Sequence, residues 1–148
     1  MSIVLGSSDF DLLSNHSSGT SLKWLFKDPE KYRLALNETP YPDPEAVFQH
    51  ETAHLETAKA VGILAASYCI EFFPSGYMRR AAMNLGYFRG VPRIALAAVA
   101  IAPANPSDSD LEVVEGLGYK GIDEIGEKIE LWNDRQVLQI PKPLSLES

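Results

Sequence analysis

The chain of 148 residues has one cysteine, three histidines, little positive charge and no apolar run long enough to cross a bilayer. A lone Cys69 excludes an internal disulfide framework, and its setting in Tyr68-Cys69-Ile70 reads as a small buried thiol. No basic segment precedes Ile3-Val4-Leu5, so no signal peptide is read, and the expected location is the cytoplasm. The most apolar stretch, residues 91–104, is too short to span a membrane and is interrupted by Pro92 and Pro103. Lys and Arg number 13 against 20 Asp and Glu, a net charge of −7. The largest basic feature is Arg79-Arg80, with Arg89 and Arg93 further on, so a nucleic-acid partner is disfavoured.

What is present is an ordinary globular composition, 45% hydrophobic and 22% charged, at a length suited to a single domain over residues 1–148. Residues 1–20, rich in Ser, Asn, Asp and Gly, read as a flexible lead-in. Pro29 splits residues 21–36 into two short helical pieces, and Pro40, Pro42 and Pro44 make the segment after them an extended connector. The best-specified helix starts there: Asp43 suits the N-cap, Pro44 the first turn, Glu45 the positive end of the dipole, and Gly62 the stop. Residues 65–73 read as a strand, Pro74-Ser75-Gly76 as a turn, and residues 79–88 as a returning strand weakened by Gly86. A helix of small residues follows Pro92, and Pro103 and Pro106 end it. A short helix over 110–117 comes next. Ile122, Ile125, Ile129 and Trp132, three and four apart, mark an amphipathic helix over 122–134, and the tail at 141–148 reads as exposed.

The chemistry concentrates in His50-Glu51-Thr52-Ala53-His54. Residues four apart on a helix share a face, so His50 and His54 can hold one Zn²⁺ from two corners of a tetrahedron. Glu51, rotated by about 100°, is placed to serve as general base toward a water that zinc brings to a pKa of about 7. The inward stripe of this helix reads as Val47, His50, Ala53/His54, Ala58 and Val61, with Gln49, Glu56 and Lys59 outward. Two imidazoles on that face need partners, and a metal supplies both at once. The simpler alternative is a pair of core histidines satisfied by carbonyls. A catalytic zinc site also needs a third protein ligand. Thr57 and Ala60 stand where a metzincin would have Gly and His, which excludes that class. His16 lies in the Ser-rich lead-in and reads as a solvated loop residue, which leaves a downstream carboxylate.

The order of motif helix, strand pair, small-residue helix and then Ser107-Asp108-Ser109-Asp110-Leu111 opening another helix resembles the protease domain of the membrane-bound, ATP-dependent zinc metalloproteases of the FtsH type and their stand-alone relatives. The resemblance covers residues 44–117. It implies zinc held by His50, His54 and Asp110, with Glu51 as catalytic base, and Asp108 as the ligand should the register differ by two. Capping of the helix by these acids after Ser107 is the structural alternative. The chain departs from the family in its Ala97-Ala98-Val99-Ala100-Ile101-Ala102-Pro103 segment. It also shows no Gly-x-x-x-x-Gly-Lys-Ser/Thr loop, so substrates are expected to be short or already loose, unless another protein unfolds them.

The resulting expectation is an α+β, mostly helical, zincin-like fold with a small sheet beside the metal helix. It would hydrolyse peptide bonds in a peptide or protein substrate, which an edge strand of that sheet could align, and homo-oligomer formation is left open. The alternative is a degenerate, non-catalytic relative serving as a binding or regulatory module. Tyr68, Tyr77, Tyr87 and Arg79 are possible donors to a tetrahedral intermediate. Phe72, Phe73 and Met83 read as core, and Glu56 and Glu71 as solvated.

Overall fold

Alternation decides the first element. In Leu22-Lys23-Trp24-Leu25-Phe26, every second side chain is large and apolar. A computed structural model, which describes residues 22–146, shows a strand here (β1, Leu22–Phe26) rather than a helical piece. Trp24 lies opposite Ile70 and Phe26 opposite Tyr68, pairings that aromatic and β-branched residues favour. The expected lead-in over 1–20 and His16 lie outside the described residues.

The second expected piece is a helix, α1 (Pro29–Asn37). Asp28 caps it by accepting from the Glu30 N–H at 3.0 Å, with Pro29 in its first turn. It sends Tyr32 and Leu36 into the core. Tyr32 stacks on Tyr68 at 4.4 Å between centroids, and its hydroxyl donates to the Cys69 carbonyl at 3.1 Å. The connector then leads to α2 (Pro44–Ala60), which Asp43 caps through the Ala46 N–H as the sequence suggests.

Strands β2 (Ser67–Phe72) and β3 (Met78–Asn84) complete an antiparallel sheet in the order β1-β2-β3. The returning strand stops short of the expected residue 88. Gly86 adopts φ +66, and a Cβ there would sit 3.1 Å from that of Ala65. Such a conformation and approach suit glycine and cannot continue a strand. Helix α3 (Arg93–Ala100) is buried at every position after Arg93, and its alanines let α2, α4 and α5 pack closely around it. Helix α4 (Asp108–Gly116) and helix α5 (Ile122–Arg135) close the helical layer, with Ile125 and Ile129 buried as their spacing predicts. The described residues thus form an α+β fold, and no helix among them is long and apolar enough to cross a membrane.

Two expectations are corrected here. The tail is not simply exposed: Ile140 and Pro143 are buried. Asn133 grips the Ile140 backbone through both its amide atoms, at 3.0 and 2.8 Å. Ser145 Oγ donates to the Ile101 carbonyl and the Leu144 N–H to that of Ala102. The tail therefore satisfies carbonyls that α3 leaves open at its C-terminus. Nor is Glu71 solvated. It is 1% exposed, and its Oε1 accepts from Arg79 at 2.7 Å and from Arg80 at 2.9 Å.

Candidate metal centre

The expected inward positions His54, Ala58 and Val61 are buried and Gln49, Glu56 and Lys59 are exposed, but the first half of α2 turns a different side inward. Phe48, Glu51, Leu55 and Ala58 face inward together with His54, while Val47 is only half-buried. Phe48 causes this, because its ring stacks against Tyr68 and draws that side of the helix onto the sheet. The rotation leaves His50 at the rim, with 20% of its side chain exposed, and His54 fully covered.

Sixty residues further along the chain, Asp110 arrives beside both rings. Its Oδ2 lies 3.2 Å from His50 Nε2 and 3.2 Å from His54 Nε2. Three donor atoms, one from each residue, fall within 4.8 Å of one another. Capping and clustering are not alternatives here. Ser107 Oγ accepts from the Asp110 N–H at 3.1 Å, and Asp110 Oδ2 accepts from the Ser107 N–H at 2.9 Å. This capping box fixes the carboxylate in the rotamer that reaches the histidines. Asp108, two residues earlier, is exposed and outside the cluster.

Three features suit a divalent metal. His54 Nδ1 lies 2.7 Å from the Val99 carbonyl, which can only accept, so Nδ1 carries a proton. In a neutral ring Nε2 then presents a lone pair toward a carboxylate oxygen, and two acceptors at that distance require a proton or a cation between them. A carbonyl holding the far nitrogen is also how ligand imidazoles are oriented in metal sites. Second, a tetrahedron with bonds of about 2.0 Å has edges of about 3.3 Å, close to both observed separations. Third, Asp110 Oδ1 is buried without a hydrogen-bond partner among the described residues, a cost that a cation would offset. The rival arrangement is a doubly protonated His54 paired with Asp110.

Of the three residues only His50 lines a mouth of about 250 Å³ to solvent, walled also by Gln49, Ala53, Asn105 and Leu144. Leu144 belongs to the tail that is fastened to α3. The sequence carried no sign of this role, since Leu144 stands in a short tail after Pro141 and Pro143 that has no helical repeat to read. The Val99 carbonyl was equally invisible, because backbone atoms carry no residue signature.

Glu51 lies elsewhere in this neighbourhood. It is 1% exposed and not among the walls of the mouth. Burial first, and then the charge of Glu51, push the Tyr32 hydroxyl well above its usual range. The suggested donors to an intermediate do not gather at the cluster. Tyr77 and Tyr87 are exposed, Arg79 is tied to Glu71, and the Tyr68 hydroxyl is 2.8 Å from Thr52 Oγ1.

Comparison with known proteins adds no assignment: no family model, curated protein or solved structure matches the chain.

Proposed function

We propose that the protein is a zinc-dependent peptidase whose metal is held by His50, His54 and Asp110, with Glu51 as general base. The observation that carries this reading is the convergence of both Nε2 atoms on one buried Asp110 oxygen while the other stays unbonded. Two imidazoles and one carboxylate form a donor set that zinc takes in catalytic sites, with a fourth position left open. Bound there, zinc would supply Lewis acidity, acidifying water and polarising a carbonyl. The chain's own contributions are orientation and proton handling. Val99 and Ser107 hold His54 and Asp110 in place, and Glu51, buried away from the mouth beside His50, would have to turn toward it to take a proton from an attacking water.

The burial of Glu51 favours a second reading, a metal-stapled module without catalysis. One pair of measurements separates the two. Zinc-loaded protein and its Glu51→Gln variant are assayed on unstructured fluorogenic peptides, alongside metal content. The peptidase reading expects equal zinc and a loss of roughly 10²–10⁴-fold in rate, the usual contribution of a general base. Equal activity in the variant sinks the mechanism. A wild type that binds zinc but cleaves nothing favours the module.

A further inference from the structure

Away from the candidate metal centre, an open groove of about 950 Å³ lies between α4 and α5. We infer that it is a docking surface for a cationic amphipathic segment of a partner protein. This inference stands apart from the metal reading.

The floor and walls are apolar. Val114 and Tyr119 are buried at the bottom, and Leu111 and Ile122 rise at the sides, partly open to solvent. Tyr119 is held by the exposed Arg93, whose guanidinium sits 5.2 Å from the ring centroid, a cation–π contact. The rim carries Glu115, Asp123 and Glu124 against the Lys120 ammonium and the Arg93 guanidinium beside Tyr119, which leaves an excess of one negative charge. The Lys120 backbone N–H donates to Glu124 Oε1 at 2.8 Å, so one rim carboxylate is already positioned. An apolar floor under a net-negative rim suits a helix with leucine-like residues on one face and Lys or Arg flanking them. The same rim repels an acidic segment, and the net charge of −7 extends that preference to longer range. The groove also shares α4 with Asp110, and Val114 lies about 6 Å along the axis from it, at a rise of about 1.5 Å per residue. A docked segment would therefore rest close to the metal cluster.

The test measures fluorescence anisotropy of a labelled lysine/leucine amphipathic peptide against the full chain at low salt. A glutamate/leucine peptide and a lysine/serine peptide serve as comparisons. The expected result is saturable binding of the lysine/leucine peptide alone. The Glu115→Lys/Asp123→Lys variant should weaken it by roughly tenfold or more. A Glu38→Lys/Glu56→Lys variant, with the same change in net charge at exposed positions on and after other helices, should leave it within about twofold. Equal weakening by both variants would mean attraction to bulk charge and overturns the proposal. So does equal binding of the lysine/serine peptide, which would deny the apolar floor any part. Sedimentation showing a dimer that Glu115→Lys/Asp123→Lys dissociates would assign the groove to a second copy of the chain instead.

Discussion

Among the described residues three carboxylates are buried, those of Glu51, Glu71 and Asp110, and the last two sit in clusters, one on the sheet and one among the helices, that are completed differently. On the sheet, Glu71 stands opposite Arg80 in register, and one of its oxygens accepts from two guanidiniums. Arginine is charged at every relevant pH, so the chain itself supplies the opposing charge. Among the helices, the Asp110 oxygen faces two imidazoles, whose charge, unlike that of a guanidinium, depends on protonation. One cluster is self-sufficient in charge, although Glu71 Oε2, like Asp110 Oδ1, is buried without a hydrogen-bond partner among the described residues, while the other has no fixed positive charge of its own. The first serves the fold, and the second suits a metal.

The largest effect should come from breaking the self-sufficient cluster. Arg80→Met leaves Glu71 buried with only the half-exposed Arg79, and removal of one partner from a buried pair costs about 3 kcal/mol or more. Urea unfolding should show that loss equally with and without a chelator. A chelator-dependent loss would mean the two clusters are coupled, and the contrast drawn between them would be wrong.

Next in size is the response to zinc. At a hundredfold excess over its dissociation constant, a ligand that binds only the folded state adds about 2.7 kcal/mol. Wild type should gain on that scale, and His54→Ala should not gain at all. Asp110→Asn separates the two duties of the carboxylate. An amide oxygen can still accept from the Ser107 N–H, so the metal-free variant should melt close to wild type, but zinc should no longer stabilise it. Asp108→Asn, at an exposed position outside the cluster, should respond to zinc as wild type does. If it does not, the ligand set is misassigned.

The sequence made some of this legible and concealed the rest for physical reasons. Helix α2 could be read because its cap, first-turn proline and terminal glycine are local signals, and His50 and His54 share a face whatever surrounds them. Helix α5 was readable from its isoleucine spacing. Asp110 came from a resemblance in motif order, and only the fold shows that the capping box and the approach to the histidines use the same oxygen. The inward face of α2 was read correctly at His54, Ala58 and Val61 but not at Phe48, which finds its partner, Tyr68, across a tertiary contact that no local pattern encodes. β1 was misread because Pro29 suggested helical pieces on both sides, while the alternation before it is satisfied only once β2 is beside it. The pairing of Glu71 with Arg79 and Arg80 likewise depends on strand register. The tail escaped notice because its anchor is the side chain of Asn133 and the open carbonyls of α3.

The smallest expected effect probes the sheet cluster through its neighbour. Cys69 lies two residues before Glu71 on β2 and is buried. Burial is the main cause that pushes its thiol from the ordinary 9.0 to about 12; Lys23 and Arg80 pull it down, and Glu71 pushes it up. A raised acid means the folded state keeps a proton that the unfolded state releases. Between about pH 9 and pH 12 the unfolded chain binds fewer protons, so stability falls as pH rises through that window and is unaffected well below it. Tyr32 and Tyr68 are also raised, chiefly by burial, and add losses of the same sign above their ordinary value of 10.0. A Cys69→Ala variant isolates the thiol. Wild type should lose about 1 kcal/mol more than the variant between pH 9 and pH 10, from the linkage relation applied to those two values. Equilibrium urea titrations at the two pH values measure this difference directly. Parallel losses in both proteins would show that the thiol titrates normally in the folded state, and that the sheet around Glu71 is wetter than its burial implies.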